Sequence, residues 1–250
     1  MALTTNVFIS GANRGLGKGF VERYLARTNH VVIGAVRNAQ SPAADELRAL
    51  PTAEGSKVIL VEVEATSTTD PYRVAKELEA QGITKIDVII ANAGITGQQG
   101  PMDSIDPEGI AGVYLVNAVG PALLFLGLKP LIDRSETPKW MGISSAIASF
   151  QNVEKYPTFK GFPYNTSKAA LNYFAKTLHF ENPNLVAFVA SPGFLDTDMG
   201  RNSASFYGLE NPGFADIEVV NKRLVGLLDN ATRDKYSGQF VDFTGEIIPW

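Results

Sequence analysis

The chain has 250 residues, a length that fits one large α/β domain. Hydrophobic residues make up 45% and charged residues 19%, an ordinary globular balance that excludes global disorder. A net charge of −4 supplies no field to draw the chain to nucleic acid or to an anionic membrane. The absence of cysteine excludes disulfides, thiolate nucleophiles and cysteine-ligated metals.

Residues 1–6 are too short and polar for a leader peptide, and no apolar run approaches the roughly 18 residues needed to span a bilayer. A cytoplasmic protein with no membrane or nucleic-acid partner is therefore expected. In chain order, short β-branched apolar runs at residues 6–10, 31–36, 57–63, 86–91, 140–144, 185–190 and 239–243 predict strands. Most are continuous rather than alternating, the pattern of strands covered on both faces. Residues 16–27, 45–50, 70–81, 107–131, 164–180 and 217–229 predict the intervening helices. This alternation predicts an α/β fold: a single Rossmann-type domain over residues 1–250, with a doubly wound parallel sheet of about seven strands and helices on both faces. Residues 200–215 show no regular pattern. Lying after a strand and before a helix, they predict a substrate-covering loop and not a domain boundary.

The first strand runs into Gly11-Ala-Asn-Arg-Gly15-Leu-Gly17 and then a helix. Glycines there let the backbone turn tightly and approach a pyrophosphate held on the helix N-terminus. The spacing differs from the general G-x-G-x-x-G fingerprint, and a glycine turn alone is no more than a tight connection. The strand before it and the helix after it are what point to a dinucleotide. Folds selective for NAD place an acid about 20 residues on, to bond the ribose hydroxyls. Here Arg37, followed by Asn38, stands 20 residues past Gly17, and Arg14 lies inside the turn. Arginine supplies the charge-assisted, bidentate bonds that a 2′-phosphate needs, so NADP(H) is the expected cofactor. Glu64 and Ala65 after the third strand are placed at the adenine, and Asn92, Ala93 and Gly94 after the fourth at a ribose.

Tyr164-Asn-Thr-Ser-Lys168 opens a predicted helix, where residues four apart share a face. An ammonium beside a phenol lowers a pKa that starts near 10, making tyrosine a usable general acid for a developing alkoxide. Tyr156 and Lys160 have the same spacing, but Gly161 and Pro163 follow at once and leave no room for a helix. Ser144 and Ser145 end the preceding strand, where a hydroxyl can bond a carbonyl oxygen. Neither lies in a G-x-S-x-G elbow. With His30 and His179 the only histidines, neither a serine triad nor a histidine metal cluster can be built, and no metal is expected.

Gly11-x3-Gly15-x-Gly17, Asn92-Ala93-Gly94, Asn117, Ser145, Tyr164-x3-Lys168 and Pro192-Gly193-x3-Thr197-x-Met199 occur in the order of the short-chain dehydrogenase/reductase family, which this chain resembles along nearly its whole length. The ending, Gly238-Gln-Phe and then Gly245 to Trp250, looks like the subgroup of sniffer-type carbonyl reductases and C-factor. The N-terminal half is similar to fungal norsolorinic acid ketoreductase-like proteins. The resemblance implies Tyr164 as proton donor, Lys168 tuning it and bonding the nicotinamide ribose, Ser145 holding the carbonyl oxygen, and Asn117 supporting a water that leads protons to Lys168. It implies a cofactor site of Gly11, Asn13, Arg14, Gly15, Leu16, Gly17, Arg37, Asn38, Glu64, Ala65, Asn92, Ala93, Gly94, Tyr164, Lys168, Pro192, Gly193, Leu195 and Thr197. Three departures stand out: Glu64 replaces the usual aspartate, Ser10 replaces a threonine, and Ser145 and Tyr164 are 19 residues apart, longer than the family's usual interval.

The extra residues fall at 149–163, with Phe150, Tyr156, Phe159 and Phe162, and read as an enlarged loop beside the site. Together with Phe206, Tyr207 and Phe214 they point to an apolar or aromatic carbonyl substrate, and the fungal resemblance points towards secondary metabolism. The function expected is NADPH-dependent reduction of a ketone or aldehyde to an alcohol. Two other readings share the scaffold: a non-redox isomerase or cyclisation catalyst, and a dinucleotide-sensing protein without turnover. The long helices carrying Asn117 and Tyr164 resemble those that pair in family dimers, so a homodimer is expected.

Overall fold

The apolar runs become strands because both of their faces are buried at once. Successive side chains on a strand point to opposite sides of the sheet. In β2 (His30–Val36), Val32 packs into a cluster with Val7, Ile9 and Phe20, while Ile33 packs into another with Phe8, Val74 and Leu78. The computed structural model describes residues 4–250, so part of the segment bearing on a leader peptide, residues 1–3, lies outside the described residues. One all-parallel sheet holds β1 (Thr5–Ser10), β2, β3 (Lys57–Glu62), β4 (Val88–Ala91), β5 (Lys139–Ile143), β6 (Val186–Ser191) and β7 (Phe240–Asp242). Their order is β3-β2-β1-β4-β5-β6-β7.

Helices α1 (Gly15–Leu25), α2 (Pro42–Arg48) and α8 (Ile217–Asp229) cover one face with Phe20, Leu47 and Leu224. Helices α3 (Asp70–Ala80), α5 (Gly120–Ile132) and α6 (Phe162–Glu181) cover the other with Leu78, Leu128 and Leu171. Where the order reverses, between β1 and β4, the connections leave the carboxyl ends of the strands in opposite directions and open a crevice.

The structure corrects the sequence reading in three places. The expected covering loop at 200–215 is helical over its first part: α7 (Asp198–Phe206) starts on Thr197, whose Oγ1 accepts the Gly200 N–H at 3.1 Å. Gly200 and the Ser/Asn-rich stretch obscured it, while Thr197, the cap that starts it, was read only as lining the cofactor. The predicted helix 107–131 is α4 (Pro107–Tyr114) joined to α5 by a wide π turn, Leu115–Val119. The span Pro107–Ile132, with mean hydropathy 1.8, is long and apolar enough to cross a bilayer, contrary to expectation. Its glycines, prolines and Asn117 break up any continuous apolar run, which is why the sequence did not show it. In this fold the span packs on α3 and α6.

Candidate active site

The glycine turn is shaped by close contact. Gly11 and Gly15 have φ of +64° and +54°, and a Cβ on Gly17 would stand 2.0 Å from the Gly11 carbonyl oxygen. The Ser10 hydroxyl accepts the N–H groups of Asn92 and Ala93, both at 3.0 Å, and Asn92 Nδ2 donates to the carbonyls of Ser10 and Gly11. Serine thus suffices where the family has threonine, and Asn92-Ala93-Gly94 is fastened to the turn. A Cβ on Gly15 would lie 3.6 Å from Thr197 Cγ2, so the segment after β6 closes the other side.

A dinucleotide fits this cradle. Arg14, the extended N-cap of α1, makes no side-chain cap, so the first-turn amides of an 11-residue helix remain available to a pyrophosphate. Asn13 and Leu16 lie in the same turn, Leu16 anchored in the core. Arg14 is exposed and meets Asp198 only at 3.9 Å. Arg37 and Asn38 are exposed at the end of β2, and Asn38 Oδ1 accepts the Gln40 N–H.

Two neighbours there were missed. Glu62, from β3, accepts the Ala39 N–H at 2.8 Å, and Arg48, from α2, donates to the Ala39 carbonyl at 2.6 Å. Local sequence gave no sign of either, because they arrive from adjacent elements. Glu64 is exposed, its own N–H held by Asp70 at 2.9 Å, and the Ala65 carbonyl lies against Gly120.

The proton-handling groups converge from three places: helix α6, the π turn and the end of β5. Lys168, in α6, is buried and donates to the Ile143 carbonyl of β5 at 2.7 Å; its Nζ stands 5.7 Å from the Tyr164 ring centroid. Asn117, on the π turn, is fully buried. Its Nδ2 donates to the Ile95 carbonyl (2.8 Å) and to Ser167 Oγ (3.0 Å), and its Oδ1 accepts the Ile95 N–H (2.9 Å). A Cβ on Gly94 would lie 3.2 Å from Asn117 Oδ1 and 3.3 Å from Lys168 Nζ, so only glycine leaves that junction open. Ser167, not singled out from sequence, links the set by donating to the Tyr164 carbonyl at 2.8 Å. A small polar residue buried within the Tyr-x3-Lys helix was its available clue.

The neighbouring serines part company. Ser144 Oγ is buried and committed to Asn172 Oδ1 at 2.5 Å, whereas Ser145 lies beside the phenol and pulls its pKa down. Burial dominates nonetheless, pushing Tyr164 up to about 12 and Lys168 down to about 8. The sequence reading expected the ammonium to lower the phenol. In this geometry Nζ is aimed at the Ile143 carbonyl, and desolvation of the phenol outweighs it. Tyr156 and Lys160 lie outside any α-helix, and the histidine rings are bonded elsewhere, His30 to Thr28 O and His179 to Ser237 Oγ.

Pro192 and Leu195 are buried and Gly193 has φ +77°, its position packed by Phe243. Above them Phe159 meets Phe194 and Tyr207 edge-on, Tyr207 meets Phe206, and Phe194 meets Phe214, with centroids 5.0–5.9 Å apart.

Residues 5–208 match the family model for short chain dehydrogenases. The chain is 35% identical to the short-chain dehydrogenase srdF of Neurospora crassa, covering all of both proteins. It is 33% identical to the norsolorinic acid ketoreductase of Aspergillus parasiticus, over 98% of this chain and 91% of that one. Among solved structures, the NADPH-bound carbonyl reductase from chicken fatty liver shares the fold, with a TM-score of 0.88 at 24% identity, covering 99% of this chain and 94% of that one. The carbonyl reductase Sniffer of D. melanogaster shares it too, with a TM-score of 0.83 at 20% identity over 99% and 100% of the two chains. The chain belongs to the short-chain dehydrogenase family and is an oxidoreductase of carbonyl and alcohol groups.

Proposed function

We propose that this protein is an NADPH-dependent ketoreductase whose substrate is an apolar or aromatic ketone or aldehyde of secondary metabolism. The convergence of Ser145, Tyr164, Lys168 and Asn117 beside the glycine cradle carries this reading. A binding protein without turnover has no use for those four groups together. Bound NADPH would supply hydride to the carbonyl carbon. Ser145 and Tyr164 hold the carbonyl oxygen, stabilise the charge it gains and, through the Tyr164 hydroxyl, give it a proton. A phenol kept protonated by burial is suited to donate, and the product is the alcohol. Lys168 holds the nicotinamide ribose and faces the phenolate left behind, and Asn117 fixes the wall through which water returns the proton. Arg14 and Arg37 favour the 2′-phosphate, and the norsolorinic acid ketoreductases among the relatives favour an aromatic ketone.

The test is NADPH oxidation across a panel of aromatic ketones, beside Tyr164→Phe. Loss of a positioned acid predicts a fall in kcat of about 10²- to 10⁴-fold with NADPH binding retained. Retained turnover in that variant refutes the assignment.

A further inference from the structure

After β7 the backbone reverses at Gly245 (φ +96°) in a turn held by Asp242, whose Oδ1 accepts the N–H groups of Thr244 and Glu246. Residues 246–250 then run back beside β7: Asp242 N–H donates to the Glu246 carbonyl, Val241 faces Ile247 in an antiparallel bridge, and Ile248 N–H donates to the Phe240 carbonyl at 2.7 Å. At the end of this run the Trp250 ring stacks on the fully buried Phe240, centroids 5.8 Å apart, with the Lys176 ammonium 5.2 Å from the indole centroid.

The run meets the enlarged loop at 149–163. Ser149, itself buried, donates its hydroxyl to the Pro249 carbonyl at 2.6 Å, and Gln151 N–H donates to the Trp250 carbonyl at 3.1 Å. The far end of the loop reaches the crevice: Lys160 O accepts the Gly100 N–H at 2.8 Å, and Phe159 is wedged between Phe194 and Tyr207. One end of the loop is therefore held by residues 246–250, and the other carries the ring that joins the aromatic roof.

We propose that residues 246–250 are a strap that sets the position of this roof, with Trp250 and Ser149 as positioning residues and bulky aromatic ketones as the substrates whose binding depends on it. This rests on the reductase reading. The strap touches no reacting atom, so loosening it removes binding to the parts of a large substrate that lie under the roof. A small ketone, held by Ser145 and Tyr164 alone, is unaffected.

Steady-state kinetics of wild type, Trp250→Ala, Trp250→Phe and Ser149→Ala with a three-ring aromatic ketone and with 2-butanone test this. Trp250→Ala raises KM for the large ketone about tenfold with kcat within about twofold, the mark of lost uniform binding. Ser149→Ala, a milder change, shifts it the same way. KM for 2-butanone stays put, and Trp250→Phe, which keeps the stack, restores the wild-type value. Equal losses on both ketones, or no change on either, overturn the strap. Hydrogen exchange supplies a readout that needs no turnover: amides 151–161 exchange faster in Trp250→Ala while β5 and β6 do not, and unchanged exchange there also overturns it. If wild type reduces no ketone, the reductase reading fails, and the exchange result still decides the strap.

Discussion

Replacing Lys168 by methionine should stabilise the fold near neutral pH, and the gain should fade in alkali. Lys168 is 3% exposed, and burial takes its pKa from 10.5 down to about 8. At 1.36 kcal/mol per pKa unit that is ~3 kcal/mol of destabilisation. The unfolded chain holds the proton up to its ordinary value near 10.5, the folded protein only to about 8, so the penalty is complete below pH 8 and is relieved as pH rises from 8 to 10.5. Methionine removes the charge but forfeits the charged donor's bond to the Ile143 carbonyl, worth about 2 kcal/mol. Lys168→Met is then more stable than wild type by ~1 kcal/mol at pH 7, and that advantage is lost on going to pH 10. Tyr164, pushed up to about 12, titrates alike in both proteins and cancels. Urea unfolding of both at the two pH values measures the difference. A gap that does not change with pH would refute the reasoning, because it would mean that Lys168 is not desolvated by the fold.

Arg37→Ala should weaken NADPH by about 10- to 100-fold, the worth of one charge-assisted bond, while leaving NADH nearly unchanged; fluorescence titration with both cofactors checks this, and equal losses count against a 2′-phosphate contact. Ser145→Ala should lower kcat by about two orders of magnitude. Ser144→Ala should spare turnover but lower stability by about 1–3 kcal/mol, because it leaves Asn172 Oδ1 buried without its partner. Kinetics and denaturation of the two alanine variants separate these outcomes.

The strands were legible because each is a short β-branched run covered on both faces, and all seven appear within two residues of the expected limits. Tyr164, Lys168 and Asn117 could be picked out by type and order, and their convergence follows from the crossover topology. The orientation of the lysine could not be read. Sequence gives the spacing of Tyr164 and Lys168 but not the direction of Nζ, which the Ile143 carbonyl fixes from strand β5. Ser10, Ser167 and Ser191 were equally hidden as structural links, since a serine's role depends on which backbone group comes within reach; Ser191, for instance, accepts the Ala146 N–H at 2.9 Å. Helix α7 was lost because its cap, Thr197, had already been given another task.

The wide turn at Leu115–Val119 reconciles two demands on one rod. Within it, Asn117 must point inward to grip Ile95; downstream, Gly127 must lie so close to Pro71 that a Cβ would sit 2.4 Å from that ring. A regular helix advances 100° per residue, so a single extra residue swings everything beyond it by more than a quarter of a revolution. Deleting one residue between 115 and 119 would therefore give a better-formed helix and a worse protein, with either the asparagine withdrawn from its partner or the glycine turned off its seat. The irregularity is a phase correction, and the local sequence sacrifices backbone regularity to keep both ends in register.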